Sequence, residues 1–137
     1  MCYPTAIHPQ AILAIDSVNN RVIFEYRRDQ SLRRVEYYRG PEQSFVEVID
    51  LLLRLSHLKE ARGIAVGVYP GPGKFTKVRT GVLVAHWVAR EYCDSAQVFQ
   101  IPLRSMEKPL LERWGRFRTQ RTPCVVYGKP PSISKKH

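Results

Sequence analysis

Two short segments contain residue types that could support catalysis, and each follows an apolar run. Asp16-Ser17 comes after residues 11–15, and Gly71-Pro72-Gly73-Lys74 comes after residues 63–69. An ATPase that clamps phosphates between two halves needs Asp-containing loops from both, but the sequence contains no Asp-x-Gly segment. A two-metal nuclease needs converging carboxylates around ions about 4 Å apart, whereas the second run ends in Tyr69 and Pro70. We therefore expect Asp16 to close a turn at a strand end, and we expect neither a catalytic residue nor a cofactor.

The glycine loop is too short to wrap a phosphate group. A P-loop has the form GxxxxGK[ST], and its length lets backbone amides surround the anion. Here a single residue separates Gly71 from Gly73. The two glycines allow a tight turn that brings the backbone close to a neighbour, and Thr76 is placed to cap the following helix. A single anion at that helix N-terminus, held by Lys74 and Lys77, is the alternative.

Positive charge is concentrated towards the end of the sequence. The formal net charge is +10, and residues 101–137 carry nine Lys or Arg against two Asp or Glu. Such a segment attracts a phosphate backbone and releases its counterions. We therefore predict that residues 112–137 form a basic tail that contacts RNA. The seven cations concerned are Arg113, Arg116, Arg118, Arg121, Lys129, Lys135 and Lys136. The competing interpretation is that the tail packs on the sheet through Val125, Val126 and Tyr127.

Hydrophobic periodicity predicts the elements that hold these segments. Strands are expected at residues 11–15, 22–27, 32–38, 63–69 and 97–101. Helices are expected over residues 42–57 and 75–92, with Pro41 beside the start of the first, and a short helix over residues 106–114. The order β-β-β-α-β-α-β predicts an α/β fold with a five-stranded mixed sheet. Residues 1–111 are expected to form one domain.

Composition excludes several classes of protein. No apolar run approaches the roughly 20 residues of a membrane helix, and the start of the chain lacks the pattern of a signal peptide. The three cysteines are far apart and form no CxxC pair, which argues against a disulfide framework or a zinc site. A cytoplasmic protein without a metal is expected.

The glycine loop and the helix after it resemble the GPGSFTGLRxG signature of the TsaB (YeaZ) family. The matching residues read Gly71-Pro72-Gly73-Lys74-Phe75-Thr76-Lys77-Val78-Arg79-Thr80-Gly81. Residues 12–17 resemble the opening ILAIDTS strand of that family, and residues 101–111 resemble its "ip…v..SLealA" segment. The departures are Lys74 in place of Ser, Lys77 in place of Gly, and Trp87 in place of Gly. Only about 30 residues stand where the family has a second actin-like subdomain.

This resemblance implies an actin-like half-domain (ASKHA, RNase H-like) that serves as a non-catalytic partner. In the family, the partner is the catalytic subunit TsaD, which transfers threonylcarbamoyl to tRNA to give N6-threonylcarbamoyladenosine. The two helices would contact TsaD, and both are more apolar than one buried face requires. The alternatives are a homodimer that uses the same helices, or an RNA-binding module with no role in tRNA modification.

The expected contact residues lie on the two helices and the glycine loop. On the helices they are Phe45, Ile49, Leu52, Leu53, Phe75, Val78, Arg79, Gly81, Val82, Ala85 and Ala89. In the loop they are Gly71, Pro72, Gly73 and Thr76. Gly81, Ala85 and Ala89 recur every four residues, and we expect this stripe without bulk to pack closely against another helix.

Overall fold

The computed structural model of the chain describes residues 9–55, 63–92 and 97–120. The strands are β1 (Ala11–Asp16), β2 (Arg21–Arg28), β3 (Ser31–Tyr38), β4 (Ile64–Val68), β5 (Val98–Gln100) and β6 (Arg118–Gln120). The helices are α1 (Phe45–Leu55) and α2 (Phe75–Tyr92), and two 3-10 helices span Leu103–Glu107 and Leu111–Arg116. Within these residues, no helix combines the length and the apolar character needed to cross a membrane.

The strands form one mixed sheet in the order β3-β2-β1-β4-β5-β6. β1 pairs antiparallel with β2 and parallel with β4, while β5 pairs parallel with β4 and antiparallel with β6. The predicted α/β class, mixed sheet and β-β-β-α-β-α-β order are confirmed. The predicted count of five strands is wrong, because β6 follows β5 after the two 3-10 helices and adds a sixth strand.

β1 lies between β2 and β4 in the middle of the sheet. All six of its residues are buried, as expected for a strand that is covered on both faces. β2 and β3 form a hairpin whose turn residues Asp29 and Gln30 have φ of 52° and 68°. Two consecutive residues with positive φ are the signature of a tight hairpin turn that matches the strand twist. The strands predicted at residues 22–27 and 32–38 are therefore present and form this hairpin.

The two faces of the sheet are covered by different elements. Helices α1 and α2 pack on one face, where they meet apolar side chains of β1, β2, β4 and β5; the sheet residues there include Leu13, Ile15, Phe24, Val66, Val68 and Val98. The two 3-10 helices and the strands' alternate residues form a second core on the other face; it includes Ile12, Ile23, Phe99, Ile101, Met106, Leu110 and Trp114. Both faces are therefore covered within this single chain.

Helix α1 begins with a reciprocal pair of hydrogen bonds. The Ser44 backbone N–H donates to Glu47 Oε1 over 2.8 Å, and the Glu47 N–H donates to Ser44 Oγ over 3.1 Å. This capping box satisfies amides that have no partner inside the helix. It makes Phe45 the first helical residue, so the helix starts later than the predicted residue 42.

Candidate functional site

The glycine loop lies between β4 and α2 and is held against the β1–β2 turn. The Gly71-Pro72 peptide is cis, and Gly71 has a φ of 105°, which favours glycine. A Cβ on Gly73 would lie 2.6 Å from Val18 Cγ2, so a side chain there would collide with the turn. The Tyr69 hydroxyl donates to the Pro72 carbonyl over 2.8 Å. Burial, and then the charge of Asp16, raises the pKa of Tyr69 and keeps this donor protonated.

Two expectations for the start of α2 require correction. The helix begins at Phe75, so Thr76 lies inside its first turn rather than at the capping position. The stripe of small residues was expected to pack against another helix. Its first residue, Gly81, faces the sheet instead. A Cβ on Gly81 would lie 2.9 Å from Ser17 Cβ and 3.6 Å from Val68 Cγ2. Gly81 therefore lets α2 approach the end of β1, where Ser17 Oγ donates to the Lys77 carbonyl over 2.5 Å.

Most of the residues expected to contact a partner are core residues of this chain. Those that are buried are Phe45, Ile49, Leu52, Leu53, Val78, Gly81, Val82, Ala85 and Ala89. They hold the helices on the sheet and are not surface residues. Phe75 is half-buried and Arg79 is exposed. The apolar side chains that α1 and α2 do expose are Val46, Leu51 and Leu83, at 37%, 43% and 46%.

Asp16 closes the turn between β1 and β2, as predicted. Its buried carboxylate accepts hydrogen bonds from the backbone and side chain of Asn19 over 3.2 and 2.8 Å, and from Arg21 Nε over 2.9 Å. Arg21 also donates to Glu107 over 2.6 Å. Burial alone would lower the pKa of Arg21, but its hydrogen bonds to Glu107 and Asp16 outweigh burial and raise that pKa. Arg21 thus joins the carboxylate of Asp16, at the turn, to Glu107 of the first 3-10 helix.

A second buried carboxylate, Glu25, was not singled out from the sequence. Its Oε1 accepts from the backbone N–H groups of Leu110 and Leu111 over 2.7 and 3.0 Å. Its Oε2 is paired with Arg34 Nη1, and Arg34 also donates to the Met106 carbonyl. The signal that could have revealed the pair is the β2–β3 register, in which Glu25 lies directly opposite Arg34. Glu25 anchors the start of the second 3-10 helix to the sheet.

A cleft of about 380 Å³ opens beside the glycine loop. Pro70 and Gly71 follow β4, Gln100 ends β5, and Pro102 precedes the first 3-10 helix, so the cleft lies at the carboxyl ends of the two parallel strands. This is the position where ligands bind in open α/β sheets. The lining residues are Pro70, Gly71, Gln100, Pro102, Ser105, Arg113, Arg116, Phe117 and Arg118.

The described lining of the cleft is positively charged. Arg113 and Arg116 come from the second 3-10 helix and Arg118 from β6, and no acidic residue is among the described lining residues. Within the described part of the chain, the guanidinium groups of these three arginines form no hydrogen bond or ion pair. A guanidinium offers paired N–H donors that fit the oxygens of a phosphate or carboxylate. The arrangement can therefore bind an anion.

Three of the cations predicted to bind RNA, Arg113, Arg116 and Arg118, line the same cleft. Gly71 of the glycine loop lines it as well. The remaining four, Arg121, Lys129, Lys135 and Lys136, lie outside the described residues. Lys74 and Lys77, proposed for an anion at the start of α2, are not among the residues that line the cleft. The sequence alone did not indicate this cleft, because residues 70–71 are far along the chain from residues 100–118 and the two groups meet only in the folded chain.

The assignment of residues 112–137 to a tail needs correction where the structure describes them. Trp114 is 3% exposed, and its ring contacts Phe99 in an edge-to-face arrangement with centroids 4.3 Å apart. β6 pairs with β5. Residues 112–120 are therefore part of the folded domain, as the competing interpretation required. Its own candidates Val125, Val126 and Tyr127 lie outside the described residues.

Comparisons with known proteins support the fold. No protein-family model matches the sequence, and no curated protein is similar to it. YeaZ from Pseudomonas aeruginosa has a similar structure, with a TM-score of 0.53 and 17% identity over 72% of this chain and 49% of that one. A second structure from that organism, an uncharacterized protein with similarity to peptidase YeaZ, gives a TM-score of 0.53, 18% identity and the same coverages. The chain has a TsaB-like (YeaZ-like) fold, as the glycine-loop motif implied, and spans about half the length of these structures.

Proposed function

We propose that this chain is a non-catalytic partner of a TsaD-type catalytic subunit in the N6-threonylcarbamoyladenosine modification of tRNA. The observation that carries the proposal is the coincidence of two independent signals. The chain has a YeaZ-like fold, and its GPG-FT--R-G motif spans the loop after β4 and the first turns of α2. The motif residues are structural there, because Gly73 and Gly81 each lie where a side chain would collide with β1 or the turn after it.

The role proposed is scaffolding rather than chemistry. Asp16 and Glu25, the fully buried carboxylates of the described chain, are each held by an arginine and by further N–H donors. Both side chains are buried and already accept hydrogen bonds, so neither is exposed to a substrate on which it could act as a base or as a nucleophile. Among the residues that the structure describes, no group of three His, Cys, Asp or Glu side chains could hold a metal ion.

The surface proposed for the partner is the outer side of the two helices. The sheet already buries their inner side chains, which leaves Val46, Leu51 and Leu83 exposed. A contiguous exposed apolar patch marks a surface that binds another protein, and these three side chains are proposed to form one. We define Val46, Leu51 and Leu83 as the helix surface. A complex built on it would leave the cleft, on the other side of the sheet, accessible.

We expect Leu83→Glu to weaken binding to the TsaD-type subunit by at least about tenfold, because it places a charge in an apolar interface. Val35→Glu is the matched control. Val35 is 38% exposed on β3, outside the helix surface, and its replacement changes the net charge equally. Binding is measured by light scattering after size exclusion, with each variant mixed with the catalytic subunit.

The same experiment separates the proposal from its rival. If the chain alone has the mass of a dimer and adding the catalytic subunit gives no heavier species, the helices serve self-association and the proposal is wrong. Equal weakening by Leu83→Glu and Val35→Glu would contradict the assignment of the helix surface. Full binding by Leu83→Glu would contradict it as well.

A further inference from the structure

We propose that the cleft at the glycine loop binds phosphate groups, and that its ligand is the backbone of a single-stranded RNA segment. The partner role described above needs no contact between this chain and RNA, so the inference goes beyond it. It rests on the cleft's own charge, donors and shape.

The first argument is the contrast between the three arginines of the cleft and the buried Arg21. Arg21 is almost fully buried and is matched by three carboxylates, those of Asp16, Glu36 and Glu107. The three arginines of the cleft have no carboxylate partner within the described residues. Like charges gathered around one concavity repel one another, and the field of such a cleft attracts an anion from solution. The missing countercharge is supplied by a ligand.

The second argument is the set of neutral groups that complete the cleft. Ser105 is 8% exposed, and together with Gln100 it adds hydroxyl and amide donors to the guanidinium groups. These donor types make most protein contacts to nucleic-acid phosphates. Gly71 brings backbone without a side chain to the same wall, which lets a ligand approach closely. The lining thus combines charged and neutral donors for phosphate oxygens.

The third argument distinguishes an RNA strand from a free nucleotide. A nucleoside triphosphate is normally held with Mg²⁺, which needs carboxylate ligands, and none lines the described cleft. Phe117, in contrast, lines the cleft and is half-buried, with its ring packed edge-to-face on Trp114 at a centroid distance of 6.1 Å. An aromatic ring beside a basic groove stacks bases of single strands. The chemistry of the cleft therefore fits a single strand better than a triphosphate.

The test measures binding of a labelled oligouridylate by fluorescence anisotropy over a series of salt concentrations. We expect the triple variant Arg113→Gln, Arg116→Gln, Arg118→Gln to lower the slope of log affinity against log salt by about 2, since each phosphate contact on a single strand contributes about 0.7. The matched control is Arg27→Gln, Arg28→Gln, Arg33→Gln. It removes the same charge from exposed positions of the β2–β3 hairpin, where aromatic and basic residues also alternate.

Equal loss of slope in the two triple variants would show that binding follows net charge, and would overturn the proposal. An unchanged slope in the cleft variant would overturn it too. Because glutamines could disturb the fold, a third variant replaces the same three arginines by lysine. It keeps the charge but loses the paired donors, so we expect an unchanged slope with affinity reduced at least threefold. Wild-type affinity in the lysine variant would contradict a built phosphate site.

Two competitors distinguish the source of the phosphate. ATP and inorganic phosphate are expected to displace the oligouridylate only at concentrations far above that of unlabelled RNA. Saturable ATP binding that requires the three arginines, together with no RNA binding, would overturn the RNA assignment. All of these results are independent of Leu83, so the cleft and the helix surface can fail separately.

Discussion

Replacing Trp114 by Ala is expected to lower the free energy of unfolding by about 3–5 kcal/mol, the usual cost of removing a buried large aromatic side chain. Trp114 is 3% exposed and contacts both Phe99 and Phe117. It is also the main apolar side chain of the second 3-10 helix. Its removal would leave a cavity between β5 and the second 3-10 helix. Urea denaturation measures the loss of stability.

The control for this prediction is Leu103→Ala, at a 38% exposed position in the first 3-10 helix. It removes an apolar side chain of similar chemistry from the surface, and we expect a change below about 1 kcal/mol. A Trp114→Ala variant as stable as Leu103→Ala would mean that residues 111–120 do not pack on the sheet. The correction to the predicted tail would then be wrong.

Replacing Glu25 by Ala is expected to be as damaging, at about 3–5 kcal/mol, because it removes the acceptor of two buried N–H groups together with one carboxylate of Arg34, which keeps its second partner Glu36. The loss has two parts. Arg34 would lose the carboxylate opposite it, and the N–H groups of Leu110 and Leu111 would lose their acceptor, Oε1 of Glu25. Buried donors without a partner each cost about 1–3 kcal/mol.

Glu25→Gln separates these two contributions, since it keeps an amide oxygen for the two N–H groups but replaces the charged oxygen that faces Arg34 with an NH2 group. We expect the stability of Glu25→Gln, measured by thermal and urea denaturation, to lie between those of the wild type and Glu25→Ala. Glu112→Ala, at an exposed carboxylate of the same 3-10 helix, serves as the control and should be nearly neutral. Equal stability of Glu25→Ala and Glu112→Ala would show that Glu25 does not anchor the helix.

The central part of the fold could be predicted because its signals are local. An apolar run ending at Asp16 predicted a buried strand, and two runs at residues 22–27 and 32–38, separated by polar residues, predicted β2 and β3. The motif from Gly71 to Gly81 predicted a TsaB-like fold, which the structural comparison supports. In each case, a few adjacent residues determine both the backbone conformation and the buried face.

The sixth strand escaped prediction because nothing local distinguishes it. Arg118–Gln120 is three polar residues at the edge of the sheet, and its pairing depends on β5, which is distant in sequence. The same reason applies to the buried side of the helices. The many apolar residues of the two helices suggested a partner surface. How many of them the sheet covers depends on how closely α2 approaches it, and Gly81 allows that close approach.

The cleft depends on tertiary structure most of all. Its walls come from residues 70–71, 100–105 and 113–118, and no spacing in the sequence brings these together. The charge of the last 37 residues drew attention to Arg113, Arg116 and Arg118 as cations. It did not predict that they surround a concavity at the glycine loop.

The measurement that tests the partner role most directly is threonylcarbamoyl transfer to tRNA by the TsaD-type subunit, with and without this chain. The proposed scaffold predicts a rate at least about tenfold higher when the chain is present, with the gain lost in Leu83→Glu and kept in Val35→Glu. The same rate with and without the folded chain would contradict it.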